Sequence, residues 1–507
     1  MNRLKKIIFI CLILTFTLAL TLTSCSPSDD SGNEGGTDVG GETGDESGNN
    51  GENSEGDDEG GDEEICFHTY TETSRTEPSY IHDGTIVYEC TQCHNVYEDA
   101  IPSEKVIKIL AIGHSYSIDS TWYLWDMCKN AGAETVIIGN LYIAGCPLNS
   151  HWANIQENAG AYRYYKNTSG EWTTKEGTSI HEALVEEDWD IITLQQGPSA
   201  SGLPSHYNNL SNIVNYVNSN KTNPDAEIWW HLTWASQQDY MESNDSYDRY
   251  DNDQMTMYNA IVSTYSDAVE SVIPGKIIPA GTTAQNLRTT YLGDTITRDG
   301  YHMSYDIGRY AVALTWYVSL TGGKPEDITW YPDRFPYIKE DIAIIRESVK
   351  NAVKAPLSIT QSQYPNQPTD EQLFNENGLD INDYELLDFT VTVGAYYDSR
   401  TGMDLISDDE EKSPYYSATS LISADDLPKG SVIILNSGYR IDIQSWISAS
   451  TPTSTATISP ISTRFTQINN MWWGIFQLRG FNLSRLSTNT PMTDADSTAI
   501  RIYVPKA

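Results

Sequence analysis

The sequence predicts an α/β protein built on a parallel sheet, set between a small cysteine-containing module and a C-terminal all-β sandwich. Two observations carry this. Residues 104–353 alternate short, β-branched apolar runs with amphipathic stretches: "VIKILAI", a helix to Ala131, "ETVIIGNLYI", a polar insertion, "WDIITLQQ", "LSNIVNYVNS", "AEIWWHLTW", "MYNAIVSTYSDAVESV", "KIIPAG" and a final helix. Such alternation gives a parallel sheet with helices on both faces. From Tyr384 onward, "LLDFTVTVGAYYD", "GSVIILNSGYRIDIQSWI" and "AIRIYVPKA" alternate apolar and polar residues between turn clusters, the pattern of a sandwich. At 507 residues the chain exceeds one ordinary core, so several units are expected.

The chain opens on "MNRLKKIIFICLILTFTLALTLTSC", a basic start, an apolar stretch and a small-residue box ending at Cys25. This is the pattern of a bacterial lipoprotein signal over residues 1–24, with Cys25 as the lipid-modified N-terminus that tethers the protein to a membrane at the cell surface. The alternative is an ordinary membrane anchor. Residues 25–64 are rich in Gly, Ser, Asn, Asp and Glu and hold no Lys or Arg, so they read as an extended acidic tether. They supply much of the net charge of -39, and the chain shows no basic patch of the kind nucleic acid requires.

Residues 65–103 contain "CFH" and "CTQC", a C-x-H and a C-x-x-C pair separated by a Tyr/Thr-rich segment with an "HDGT" turn. Spacing of this kind suits a hairpin-built zinc site with Cys66, His68, Cys90 and Cys93 as ligands. Four protein ligands would close the site, making the zinc structural. The segment resembles a short zinc-ribbon-like module of extracellular bacterial proteins, and the competing reading is a Cys90–Cys93 disulfide.

In the central unit, the strand "VIKILAI" stops at Gly113-His114-Ser115 before a helix resumes with Trp122, Leu124, Trp125 and Cys128. A serine there sits at a strand's C-terminal end beside free helical N–H groups, where a nucleophile is favoured. Ser115 or Ser117 as a simple cap is the plain alternative. Near the end of the unit, "TRDGYHMS" sets Asp299 three residues before His302, so the carboxylate can hold one imidazole nitrogen and leave the other for a serine. The expected triad is Ser115, Asp299 and His302. His151, Trp152, His231 and Trp234 read as wall or core residues.

"GHSYS" and "RDGYHMS" resemble the first and last blocks of the SGNH, or GDSL-like, hydrolases, and "AGCPLNSHW", "WDIITLQQ" and "WWHLTWA" resemble an uncharacterised lipoprotein branch of them. The resemblance implies a three-layer α/β/α fold, ester hydrolysis without a catalytic cofactor, and an oxyanion hole formed by the N–H groups of Ser115 and Gly145. Where that family has Gly-x-Asn-Asp, this chain has Gln195-Gln196-Gly197-Pro198, so Gln196 is the candidate third donor, with the choice between Gln195 and Gln196 resting on strand register. An acylated carbohydrate or small ester is the expected substrate, and a non-catalytic glycan-binding or adhesion lipoprotein is the rival. Residues 354–380 read as a linker or edge segment, and 381–507 as an accessory sandwich whose Tyr439, Trp472, Trp473 and Phe476 belong either to its core or to a sugar-stacking face.

Overall fold

The computed structural model describes residues 66–397, 405–406, 416–420, 427–436, 439–446, 456–461, 464–468, 477–485 and 498–506. Cys25, the signal and the tether lie outside them, as do Trp472, Trp473, Phe476 and the side chain of Tyr439.

A seven-stranded sheet forms the centre, with strand order β10-β9-β8-β4-β5-β6-β7. Strands β4 (Val106–Gly113), β5 (Thr135–Tyr142), β8 (Ile191–Leu194), β9 (Glu227–His231) and β10 (Ile277–Ile278) pair in parallel. These are the five apolar runs of the sequence. Strand β4 lies between β8 and β5, with Ile112 level with Leu194 on one side and Leu141 on the other. Its side chains alternate with the strand period of two. Ile107, Ile109 and Ala111 enter one core with residues of α1 (Ser115–Thr121), α2 (Leu124–Asn130), α8 (Ala280–Arg288), α9 (Ile307–Thr321) and α10 (Ile342–Lys354). Leu110 and Ile112 enter another with α3 (Leu148–Glu157), α4 (Ile180–Leu184), α5 (Leu210–Asn220) and α7 (Gln254–Thr264), while α6 (Gln238–Ser243) adds Met241. Helix α9 is buried along nearly its whole length, as an all-round apolar sequence requires.

The polar insertion after β5 is itself ordered. It holds α3 and an antiparallel hairpin, β6 (Tyr162–Asn167) and β7 (Trp172–Thr178), that extends the sheet beyond its parallel part. Tyr162, Tyr164 and Asn167 of β6 are buried on the sheet, whereas β7 is largely exposed, so the hairpin carries too few apolar residues to announce itself in the sequence.

Before the sheet, β1 (Tyr70–Thr76), β2 (Gly84–Cys90) and β3 (Val96–Ile101) form an antiparallel three-stranded unit. Ile81 of this segment is buried in the core that holds α9, and His82 Nε2 meets the Tyr317 hydroxyl at 3.0 Å. After α10 the chain is more than a linker. Leu357 and Ile359 pack on the central core, and Thr369 caps a helix at Asp370–Glu376 whose Leu373 and Phe374 cover Val432 and Ile434 of a four-stranded sheet. Gln, Asn and Pro hid these few apolar contacts. A four-stranded and a five-stranded antiparallel sheet follow, with a two-stranded ribbon. Arg464 ties this part to the central unit, its backbone N–H donating to Glu340 and its guanidinium to Asp341 and the Tyr291 hydroxyl.

Three imidazoles are buried in the central unit: His114, His151 and His231. Burial keeps each neutral, pushing His114 down to about 4, His151 to about 3 and His231 well below the ordinary imidazole value. In the unfolded chain these groups take up protons near pH ~6.5, so below that pH the unfolded state binds more protons and folding weakens. Stability is therefore expected to fall as pH drops from ~6.5 towards 4, with His114 alone accounting for about 3 kcal/mol. Urea unfolding at a series of pH values checks this; a stability that stays level across that window would remove the buried imidazoles from the account.

Candidate active site

The turn after β4 is built around a glycine. A Cβ at Gly113 would lie 2.0 Å from Gln195 Nε2 and 2.8 Å from Ser117 Oγ, so no side chain fits. His114 caps α1, its Nδ1 accepting from Tyr116 N–H at 3.3 Å while Nε2–H donates to the Gln196 carbonyl at 3.0 Å. Beneath, Ser117 Oγ donates to the His114 carbonyl or to Asn140 Oδ1 of β5, and Asn140 Nδ2 donates to Thr121 Oγ1. The helix is thereby fastened to two neighbouring strands. Ser117 is an interior tie, and Ser115, at the first helical position, is left half-buried at the surface.

Asp299, Gly300, Tyr301 and His302 form a tight turn between the paired residues Thr297 and Met303. Gly300 has φ +86°, a left-handed conformation that favours glycine, and its carbonyl accepts from Gln237 N–H at 2.6 Å. Asp299 Oδ1 accepts from His302 N–H at 2.8 Å and Oδ2 from Nδ1–H at 2.6 Å, which leaves Nε2 2.8 Å from Ser115 Oγ. Burial alone would raise the Asp299 carboxyl, but the two bonds from His302, with Arg298 nearby, outweigh it and hold the group below the ordinary carboxylate value. The structure thus brings Ser115, Asp299 and His302 together in hydrogen-bonded sequence. Chemically, this can move a proton from a hydroxyl to an imidazole steadied by a carboxylate.

Sequence reasoning missed the group that holds the two halves in register. Asp119, one turn after Ser115, is fully buried; it accepts from Arg298 Nη1 at 3.0 Å, Arg309 Nε at 2.8 Å and Met303 N–H at 3.0 Å. The available signal was slight, an aspartate four residues after the serine in the mostly polar helix SYSIDST, whose carboxylate must be paired once buried.

Gly145 follows β5 in a loop, with φ +57° and an N–H that has no hydrogen-bond partner among the described residues. Ser115 N–H is likewise unpaired among them. Gln196 behaves otherwise than expected. Its Oε1 accepts from Leu148 N–H at 3.0 Å and Gly197 N–H at 2.9 Å, and its Nε2 donates to the His206 carbonyl at 3.0 Å. The side chain is fully buried in these contacts, so Gln196 clasps the loops around Gly145 and does not stand open as a third donor. Register sends Gln195 beneath α1, beside Gly113, where its Oε1 accepts from His231 Nδ1–H at 2.7 Å. His151 is also interior, on the Tyr162 hydroxyl.

Away from this site, the ligand atoms of Cys66, His68, Cys90 and Cys93 all lie within 4.8 Å of one another. Cys66 Sγ and Cys90 Sγ are 3.7 Å apart and Cys93 Sγ is 3.1 Å from His68 Nδ1. Tetrahedral zinc with Zn–S of ~2.3 Å needs sulfurs about 3.8 Å apart, so the donor set fits that ion. No disulfide joins the five described cysteines.

Residues 108–348 match the family model described as a domain of unknown function, DUF4886. Among solved structures, the chain is similar to a DUF4886 family protein from Bacteroides uniformis, at 37% identity over 50% of this chain and 98% of that one, with a TM-score of 0.47. An acetyl xylan esterase matches at 12% identity over 42% of this chain and all of that one, with a TM-score of 0.28, a likeness too faint to carry function. No curated protein matches. On the extent and identity of the first of these likenesses, the chain belongs to the DUF4886 family.

Proposed function

We propose that this protein is an SGNH-like serine ester hydrolase that removes small acyl groups from carbohydrate at the outer surface of a bacterial cell. The observation that carries the reading is the chain of contacts Ser115 Oγ–His302 Nε2–His302 Nδ1–Asp299 Oδ2, at 2.8 and 2.6 Å, at the C-terminal edge of a parallel sheet. Helical cores on both sides of β4 and the chain order Ser, Asp, His support the SGNH assignment. Ser115 Oγ attacks the ester carbonyl carbon as its proton passes to His302 Nε2. The negative oxygen then rests on the N–H groups of Ser115 and Gly145. Collapse breaks the bond to the sugar oxygen, which leaves with the proton from His302. Water, deprotonated by the same imidazole, releases the acid and restores Ser115. With the Gln196 side chain buried among Leu148, Gly197 and His206, the oxyanion hole has two backbone donors.

The lipoprotein signal ending at Cys25 supports attachment to a membrane, and the acidic stretch behind it supports a tether. In the module at 65–103, Cys66, His68, Cys90 and Cys93 would hold a structural zinc; the matched donor spacing supports this.

Ser115→Ala is expected to lower hydrolysis of a small aryl acetate by at least about 10³-fold while thermal unfolding stays as in wild type. Wild-type turnover in the alanine variant would reduce Ser115 to a structural residue of the helix start and overturn the triad.

Turnover is expected to fall in acid, as His302 must be neutral at Nε2 to take the serine proton. Asp299, held below the ordinary carboxylate value, stays ionised and keeps its bond to Nδ1–H. Because the fold itself weakens in acid, rates belong at pH values where unfolding curves show the native state. Asp299→Asn should cost on the order of 10³–10⁴-fold in kcat with little change in KM, by favouring the wrong tautomer. An Asn variant as fast as wild type would exclude the pair as the base.

Elemental analysis of the purified chain should find about one zinc per molecule. Cys90→Ser should release it and expose residues 66–103 to protease, with ester hydrolysis retained. Metal-free protein carrying a Cys90–Cys93 bond by mass spectrometry would overturn the ligand set.

A further inference from the structure

Two helical turns along from Ser115, the surface opens into a cleft of about 520 Å³. Its size is that of a small-ligand site. Trp122 closes α1 seven residues after Ser115, on the same face and about 10 Å further along the axis. Asp119 lies on that face between them. Arg309, held by Asp119, stacks over Trp122 at 5.0 Å and over Tyr305 at 4.6 Å. Tyr305 follows His302 by three residues, and its carbonyl accepts from the Tyr123 hydroxyl at 2.5 Å. The cleft therefore continues the two segments that carry Ser115 and His302.

Its walls come from three further places. Trp172 reaches in from the β6–β7 hairpin and stacks on Trp122, with centroids 5.7 Å apart and planes 16° from parallel. Trp330 stands against Tyr123 at 5.8 Å, and the Tyr305 ring is 48% exposed. Two charges sit among these rings without an ion-pair partner among the described residues. Asp126 is half-buried, and among the described residues it bonds only to its own backbone; burial pushes its carboxyl up to about 6. Arg334 is exposed on the rim and pairs with no carboxylate among the described residues.

Flat aromatic faces beside an unmatched acceptor and donor suit a ring that is apolar on its C–H face and hydroxylated at its edge. An acyl chain would leave Asp126 desolvated and unpaired, which costs free energy that sugar hydroxyls would recover. We infer that this cleft is a saccharide subsite, in which Trp172, backed by Trp122, and Trp330 stack the sugar units next to the acylated one and Asp126 accepts from their hydroxyls. The inference rests on the esterase reading for the position of the acylated sugar, but the binding itself does not.

The test uses the full chain and two kinds of measurement. The first compares kcat/KM for a small aryl acetate with that for acetylated β-1,4-linked oligosaccharides of xylose, mannose and glucose. Trp172→Ala and Asp126→Asn should each lower the oligosaccharide-to-aryl-acetate ratio about tenfold, through KM, which is the size of one good aromatic or charged contact. The second is calorimetric titration of Ser115→Ala with the same oligosaccharides after deacetylation, where at least one should bind and Ser115→Ala/Trp172→Ala should bind it about tenfold more weakly. Protein that hydrolyses no ester yet binds oligosaccharide through Trp172 would sink the esterase reading and sustain the subsite. An unchanged ratio in both variants, or no oligosaccharide bound by Ser115→Ala, would overturn the subsite.

Discussion

Everything at the site depends on one buried carboxylate. Ser115 and His302 are 187 residues apart in the chain, and their side chains meet at 2.8 Å because Asp119 gathers both segments. From α1 it takes the Arg298 and Met303 N–H groups on either side of the Asp299–His302 turn, and the Arg309 guanidinium from the first turns of α9. A carboxylate with 1% exposure cannot be left with one partner removed, since an uncompensated buried charge costs about 3–5 kcal/mol. The loop, the helix and the Gly113–Ser115 turn are thus held in one arrangement by a penalty on every other. This is the kind of rigid support a triad requires, because small misplacements of reacting groups cost large factors in rate.

The imidazoles around it are placed in two different ways. His114, His151 and His231 are enclosed without a carboxylate and are neutral, so they serve as hydrogen-bonding struts. His302 has a carboxylate on one nitrogen and a hydroxyl on the other, and its side chain is 15% exposed. The same residue type is a strut where both nitrogens face the interior and a bridge between a carboxylate and a surface hydroxyl where one faces outward. Composition alone cannot tell these apart; position at a strand end or a turn can.

The sequence was legible wherever a local pattern and the fold agree. Five β-branched runs became the five parallel strands, and the D-x-x-H spacing placed Asp299 on His302 because three residues around a glycine at positive φ leave little choice of turn. It was illegible where a residue's task depends on a distant partner. Asp119 reads as one polar residue in a helix until Arg298 and Arg309 arrive from the far end of the unit. Gln196 looked like a donor because its place in the strand order fits one, yet its amide is consumed by Leu148, Gly197 and His206, loops whose course no spacing rule gives. The helix at Asp370–Glu376 is short and polar save for Leu373 and Phe374, whose burial depends on a sheet strand some sixty residues later.

The attachments of the flanking parts follow a common logic. The N-terminal three-stranded unit meets the central one through Ile81 and through His82 on Tyr317 of α9, and the C-terminal part through Arg464 on Asp341, just before α10. Both therefore grip the layer of α9 and α10, which Asp119 reaches through Arg309 at the start of α9, whereas Ser115 and the Gly145 loop are tied to β4, β5, β8 and α1. Arg464 is mostly buried, with the neighbouring Glu340 carboxyl pushed up to about 7 by burial, so that junction is a desolvated polar contact, which is specific and costly to break halfway. No hydrogen bond among the described residues runs from either flanking part to Ser115, Asp299 or His302. Geometry at Ser115, Asp299 and His302 is consequently set within the central unit, and the flanking parts bear on it through the stability of the helical layer they share.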